Sequence, residues 1–139
     1  PHDILKFDDP ENPTTMEEVV KAAGAKPVEW NFKVECCGAA HSIAHTEIVE
    51  NLSKQILDDA INHKANVVVV ACPMCHSNLD MRQKNIIKHN PGRMKIPILY
   101  LSQLIGLSMG LDHTKLGLDL HFIDTAPLIA SLSEREVVV

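Results

Sequence analysis

The stretch that most limits what this chain can fold into is Val67-Val68-Val69-Val70-Ala71, followed at once by Cys72-Pro73-Met74-Cys75. An unbroken β-branched run leaves no polar face for water, so it predicts a central parallel strand covered on both sides. Proline cannot extend such a strand, yet it suits the first turn of a helix. Cys72-Pro73 therefore marks a strand end and a helix start, with the helix running to about Lys88 and stopped by Asn90-Pro91-Gly92.

The pattern on either side is α/β. Asp8-Asp9-Pro10-Glu11-Asn12-Pro13 is too rich in turn formers for a helix interior. Thr14 and Glu17 then offer a capping box for a helix carrying Met16, Val19, Val20 and Ala23, with Gly24 as its stop. Residues 27–34 read as a strand, best over 28–32, leading into Cys36-Cys37-Gly38 and a small-residue passage to Ser42. Ile48, Leu52, Ile56 and Ala60, with Ile43, Val49, Leu57 and Ile61 alongside, draw an apolar stripe on a long helix ending near Ala65. Glu47, Glu50, Lys54, Asp58, Asp59 and Lys64 give that helix a solvated face.

A further strand is expected over 96–101, then a short helix capped by Ser102 and ending at Gly110. Asp112-His113-Thr114 reads as the start of a turn of helix, Leu120-His121-Phe122 as extended, and the valine tail after Glu134-Arg135-Glu136 as frayed. The predicted architecture is one domain over residues 1–139. It is a parallel sheet of three or four strands flanked by helices, with the cysteine loops at the carboxyl ends of the strands.

A chain of 139 residues buries a core without help from disulfides. Thirteen basic against eighteen acidic residues give a net charge of −5 with no basic patch, which argues against nucleic acid as a partner. No apolar run approaches the roughly 20 residues that span a bilayer, so no direct membrane span is expected. No secretory signal is visible, and the first residue is Pro rather than Met, which reads as an upstream part removed or processed. A CxxC pair in such a chain points to metal or redox chemistry, and to a reducing cytoplasm.

All four cysteines lie in two knots, Cys36/Cys37 and Cys72/Cys75, with thirty-four residues between Cys37 and Cys72. A strand–cysteine–helix–strand–cysteine unit would bring both knots to one end of the sheet, where thiolates could share a soft metal. Gly38 would let two adjacent cysteines turn the same way, which a regular strand forbids. Three readings compete with inert buried thiols: an iron–sulfur cluster, structural zinc on four cysteines, and a dithiol couple at Cys72 and Cys75. An adjacent Cys36-Cys37 pair is an awkward tetrahedral chelate for zinc, and the dithiol couple leaves that pair unexplained.

CCG followed at this distance by CPxC is a specific combination. Through it the chain resembles the C-terminal CCG (cysteine-rich) domain of the heterodisulfide reductase B-subunit family. Phe7-Asp8-Asp9-Pro10-Glu11-Asn12-Pro13, Cys36-Cys37-Gly38-Ala39, Leu116-Gly117-Leu118-Asp119 and His121-Phe122 extend the likeness over most of the chain. The resemblance implies a noncubane 4Fe–4S cluster on Cys36, Cys37, Cys72 and Cys75. It also implies reduction of a disulfide between thiol coenzymes, with electrons from flavin and iron–sulfur partner subunits. Related domains occur in glycolate oxidase and succinate dehydrogenase-like oxidoreductases, and a structural zinc domain that docks partner subunits is the alternative from another class.

The family's first cysteine has no counterpart among residues 1–35. That departure implies a fragment of a larger subunit with a second CCG copy, its cluster one ligand short and open to loss or replacement by zinc, and the isolated chain inactive. Of the histidines near the knots, His41, His45 and His76, the last is the first choice as donor of a proton to a leaving thiolate or of a hydrogen bond to a cluster sulfur, against an ordinary capping or surface role. Met74 and Met81 read as core filler before the lining of a substrate channel, and Trp30 as packing beneath the site.

Overall fold

The computed structural model describes residues 8–92 and 94–132, together with the backbone of 137–138. Chain order is α1 (Thr15–Ala22), β1 (Ala25–Lys26), a 3-10 turn (Ala39–His41), α2 (Thr46–Asn62), β2 (Val68–Val70), α3 (Pro73–Met81), α4 (Gln83–His89), β3 (Ile98–Tyr100), α5 (Leu101–Ser108), a 3-10 turn (Leu118–Leu120), α6 (Ala126–Ser131) and β4 (Val137–Val138). Strand β2 pairs in parallel with β3 in the register Val68↔Ile98 to Val70↔Tyr100, and β1 pairs in parallel with β4. The α/β class and the parallel pairing are as expected. The single sheet of three or four strands is not: among the described residues there are two ladders of two strands each.

The valine run forms a parallel strand covered on both faces, but with β3 as its one neighbour among the described residues it is not the central strand expected. Successive side chains point to opposite faces, and Val68 and Val70 join one core with Ile56, Leu57, Leu79 and Ile98. Val67 and Val69 join a second core with Val20, Leu99, Leu104 and Leu118. The strand is thus the wall between two cores.

Residues 27–34 form no strand. Pro27 has no N–H for a ladder, and the Asn31 N–H is taken by an Asp59 carboxylate oxygen at 2.8 Å. Lys33 donates to the Pro13 carbonyl and pairs with Glu17 at 2.9 Å, so side chains of α1 and α2 hold this segment as a loop. Glu17 is therefore not free to close a capping box. The start of α1 is capped instead by Asp8, which accepts the N–H groups of Thr14 and Thr15 at 3.0 and 2.9 Å. Those N–H groups, Thr14 first, hold the Asp8 carboxyl down at about 2.

Helix α2 starts at Thr46 rather than at Ile43, which is 97% exposed, and its buried line is Val49, Ser53, Ile56, Leu57 and Ala60. It ends in a Schellman turn: Lys64 takes a left-handed φ of 63°, the Ala65 N–H reaches the Ala60 carbonyl, and the Lys64 N–H that of Ile61.

The single helix expected from Cys72 to Lys88 breaks at Arg82, where the Gln83 side chain takes the Leu79 carbonyl. The helix after β3 begins two residues before Ser102 would have started it, because Gln103 reaches back to the Tyr100 N–H at 2.9 Å. Val137 and Val138, expected to fray, pair with Ala25 and Lys26. Glu134, Arg135 and Glu136 lie outside the described residues.

Candidate functional site

Strand β2 delivers Cys72 to the sheet's carboxyl edge. Its extended backbone (φ −89°, ψ 126°) ends the strand, Pro73 occupies the first helical turn, and the Cys72 carbonyl accepts the His76 N–H at 3.0 Å. Cys75 follows on the first turn of α3. The other knot arrives without a strand. Gly38 stands at φ 80°, and a Cβ there would lie 2.8 Å from Leu52 Cδ1. The left-handed φ favours glycine, and its missing side chain leaves room for Leu52, so the loop can lie against α2 and turn Cys37 inward.

The two knots meet. The sulfurs of Cys37 and Cys75 lie 3.4 Å apart, with Cys37 buried and Cys75 half-buried. Cys72 and Cys36 are exposed, and the Cys36 sulfur accepts the Gly38 N–H at 3.3 Å. No bond joins Cys36 to another thiol among the described residues. The four cysteines carry no disulfide.

The electrostatics differ thiol by thiol. The Cys72 pKa is lowered, chiefly by the backbone N–H groups of Cys75 and Met74 at the helix start. The Cys75 thiol is pushed up to about 12, first by burial and then by the adjoining Cys37 and Cys72 sulfurs. With the Cys37 and Cys72 sulfurs beside it, the Cys75 thiol ionises readily only where a cation shares the pocket, and thiolates select soft or borderline metals. The donor set therefore suits a thiolate-bound metal centre. Among the described residues, no three His, Cys, Asp or Glu side chains are already disposed around one metal position.

Asn78, which sequence reasoning passes over, ties the site together. One turn beyond Cys75 and buried, it donates to the Cys37 sulfur at 3.5 Å and accepts from Ser42 and Arg82. Arg82 also reaches the Ser42 carbonyl at 2.9 Å, locking the loop after the first knot onto α3. The available signal is an Asn at position i+3 from a helical cysteine, a place where an uncompensated amide would be costly. Asp80, also buried, accepts the N–H groups of Phe122 and Ile123 and anchors the later chain to the same helix.

The structure sorts the remaining candidates. The His76 ring stacks on Tyr100 at 4.2 Å, and no hydrogen bond joins it to a cysteine sulfur among the described residues. Its pKa is lowered, first by burial and then by His121. His41 and His45 sit edge to face at the surface, where His45 approaches Glu47 at 3.4 Å. Met74 and Met81 are not core filler: both are exposed, and the Met81 sulfur accepts from Ser77. Trp30 packs against the core that holds Cys37, as expected.

A parallel α/β layer that gathers thiols from a strand-end turn and a glycine-bearing loop defines a cysteine-rich, metal- or redox-type domain. Residues 2–80 match the CCG cysteine-rich domain family, and the chain belongs to it. It is 35% identical over 129 residues to the 8-methylmenaquinol:fumarate reductase membrane anchor subunit of Wolinella succinogenes, covering 92% of this chain and 45% of that protein. It is 31% identical over 128 residues to the B subunit of the ferredoxin:CoB-CoM heterodisulfide reductase of Methanosarcina mazei, covering 91% and 43%. A heterodisulfide reductase B-subunit-like protein of Archaeoglobus profundus is 32% identical over 114 residues, covering 79% and 38%. The chain thus spans less than half the length of these relatives. None of its helices, among the described residues, is long and apolar enough to cross a membrane.

Proposed function

We propose that the chain is the cluster-binding CCG module of an oxidoreductase subunit of the heterodisulfide reductase B type. It would work in a complex with flavin and iron–sulfur electron donors in the reducing cytoplasm. The observation that carries this reading is the 3.4 Å approach of Cys37 to Cys75 across the two knots. Cys36, Cys37, Cys72 and Cys75 would hold a noncubane 4Fe–4S cluster, Cys37 and Cys75 from inside the pocket and Cys36 and Cys72 from its exposed rim. When bound, such a cluster supplies one-electron redox chemistry and an affinity for sulfur.

The rest is the work of this chain's residues. Cys72 offers a ready thiolate at the helix start, Cys37 supplies a buried sulfur, and the half-buried Cys75, its thiol pushed up, would ionise beside a cation. Asn78 presents an N–H to the Cys37 sulfur, the kind of contact that steadies a ligand and tunes a potential. The substrate would be a disulfide between thiol coenzymes, reduced in the whole complex rather than by this chain alone. His76 would help order the site beside Cys75.

That the relatives include a fumarate reductase anchor favours a module that serves more than one reductase, so the substrate follows the partner subunits. Anaerobic reconstitution with iron and sulfide tests the proposal. A brown protein whose visible absorbance disappears in Cys37→Ala and Cys75→Ala supports it. Stoichiometric colourless zinc with no uptake of iron overturns it in favour of a structural zinc domain.

A further inference from the structure

From the first turn of α3, next to Cys75, a half-buried polar chain runs to the helix after β3, and the cysteine chemistry does not use it. The Gln103 amide is fixed in orientation by two partners: its Oε1 accepts the Tyr100 N–H at 2.9 Å, and its Nε2 donates to the Leu116 carbonyl at 3.0 Å. The same Nε2 lies 3.0 Å from His121 Nε2. An amide nitrogen has only hydrogens to offer, so His121 Nε2 accepts and the ring proton sits on Nδ1.

That Nδ1–H is buried and has no partner among the described residues. His76 stands beside it, ring centroids 4.7 Å apart and planes at 85°, and His76 Nε2 is likewise buried without a partner. Two orphaned ring nitrogens on neighbouring histidines are costly unless they satisfy each other. A metal at this place is ruled out by Gln103: His121 would then need a lone pair on both nitrogens, one for the amide and one for the cation.

We propose that His121 is a positioning residue whose Nδ1–H donates to His76 Nε2, directly or across one trapped water. The bond fixes the His76 ring against Tyr100, and with it the turn that carries Cys72 and Cys75. Gln103, His121 and His76 form a one-way series of donors. It joins the end of β3, where Gln103 holds the Tyr100 N–H, to the first turn of α3. His121 itself touches neither a thiol nor a substrate; it acts through His76.

Long-range proton–nitrogen correlation spectra of the reduced, metal-free full chain, labelled with 15N-histidine and held slightly above neutral pH, read the tautomers without any substitution. The expected pattern is Nδ1–H with a lone-pair Nε2 on both His121 and His76. A protonated Nε2 on His121, or tautomer-averaged signals from it, overturns the proposal. Gln103→Glu replaces the amide donor with a group that only accepts, so His121 is expected to flip to Nε2–H; an unchanged ring pattern overturns it equally.

The positioning role is read at the thiols by titrating Co2+ and following thiolate-to-cobalt absorbance. His121→Phe keeps a ring but loses the donor and is expected to weaken Co2+ binding about 10-fold, the lower end for loss of a supporting contact. His121→Asn, whose amide can stand in for Nδ1–H, is expected to restore most of it. Equal affinity in the Phe variant, or an equal loss in both, overturns the role. Only this second readout rests on the cysteine pocket as a metal site. If the unsubstituted chain takes up no Co2+, the proposed function fails, while the ring tautomers still decide the present inference.

Discussion

The two cysteine loops reach the same pocket by different means. The Cys72 turn is built from its own neighbours: a strand end, a proline in the first helical turn, and the helix's free N–H groups. The Cys36–Gly38 loop is built from distant ones. Asp59 holds Asn31 before it, Leu52 receives it at Gly38, and Asn78 with Arg82 grips it afterwards. A motif read along the chain announces the first kind of loop. The second depends on which side chains of two helices face it, and those faces exist only after folding.

That contrast can be broken most sharply at Gly38. Gly38→Ala must adopt a left-handed φ and bring its Cβ against Leu52 Cδ1, so stability is expected to fall by about 2 kcal/mol or more in urea unfolding. Adding Leu52→Ala relieves the contact but not the backbone strain, and the pair is expected to be non-additive. Gly24→Ala, with a similar φ of +82° and nothing within 4 Å of the new Cβ, should cost about 1 kcal/mol. Equal losses at the two glycines would show that α2 does not press on the loop.

Next in size comes Asn78→Ala, which strips partners from Cys37, Ser42 and Arg82 and is expected to cost roughly 1–3 kcal/mol. Hydrogen exchange should rise over residues 39–45 and stay nearly unchanged around β2. Exchange rising equally at both places would dissolve the distinction between the loops.

Alkylation of the metal-free chain separates thiols within the local turn. Thiolate is the reactive form, so the exposed, low-pKa Cys72 should react first near neutral pH. Cys75 should resist until the pH approaches its value of about 12, and Cys37→Ala should bring that threshold down, since the Cys37 sulfur helps to raise it. Peptide mass mapping across a pH series checks the order. The smallest effect is expected at the far support: Asp59→Ala frees the Asn31 backbone for about 1 kcal/mol and leaves Cys72 labelling as it was.

What is legible in the sequence follows the same division. The apolar strand of the valine run, the Cys72-Pro73 junction and the α/β class rest on local periodicity and turn chemistry, and the structure bears them out. A central place for that strand depends on pairing partners that local periodicity does not reveal, and it has one neighbour among the described residues. Alternation over 27–34 resembles a strand, but the Asn31 N–H that a ladder needs is spent on Asp59, 28 residues away. Ile43 fits the helix stripe by spacing, and spacing says nothing of where a chain starts to wind. Asn78, Asp80 and Gln103 are invisible as site-builders, since a polar residue on a helix looks solvated until its neighbours are known.

Strand β2 has one more consequence. Because alternate valines are embedded in opposite cores, the turn at its end rests on two foundations at once. Settling on either side, whether from an enlarged side chain near Leu104 or a trimmed one near Leu57, would be felt at Cys72 as tilt. Distant apolar substitutions could thus retune the thiols without touching them.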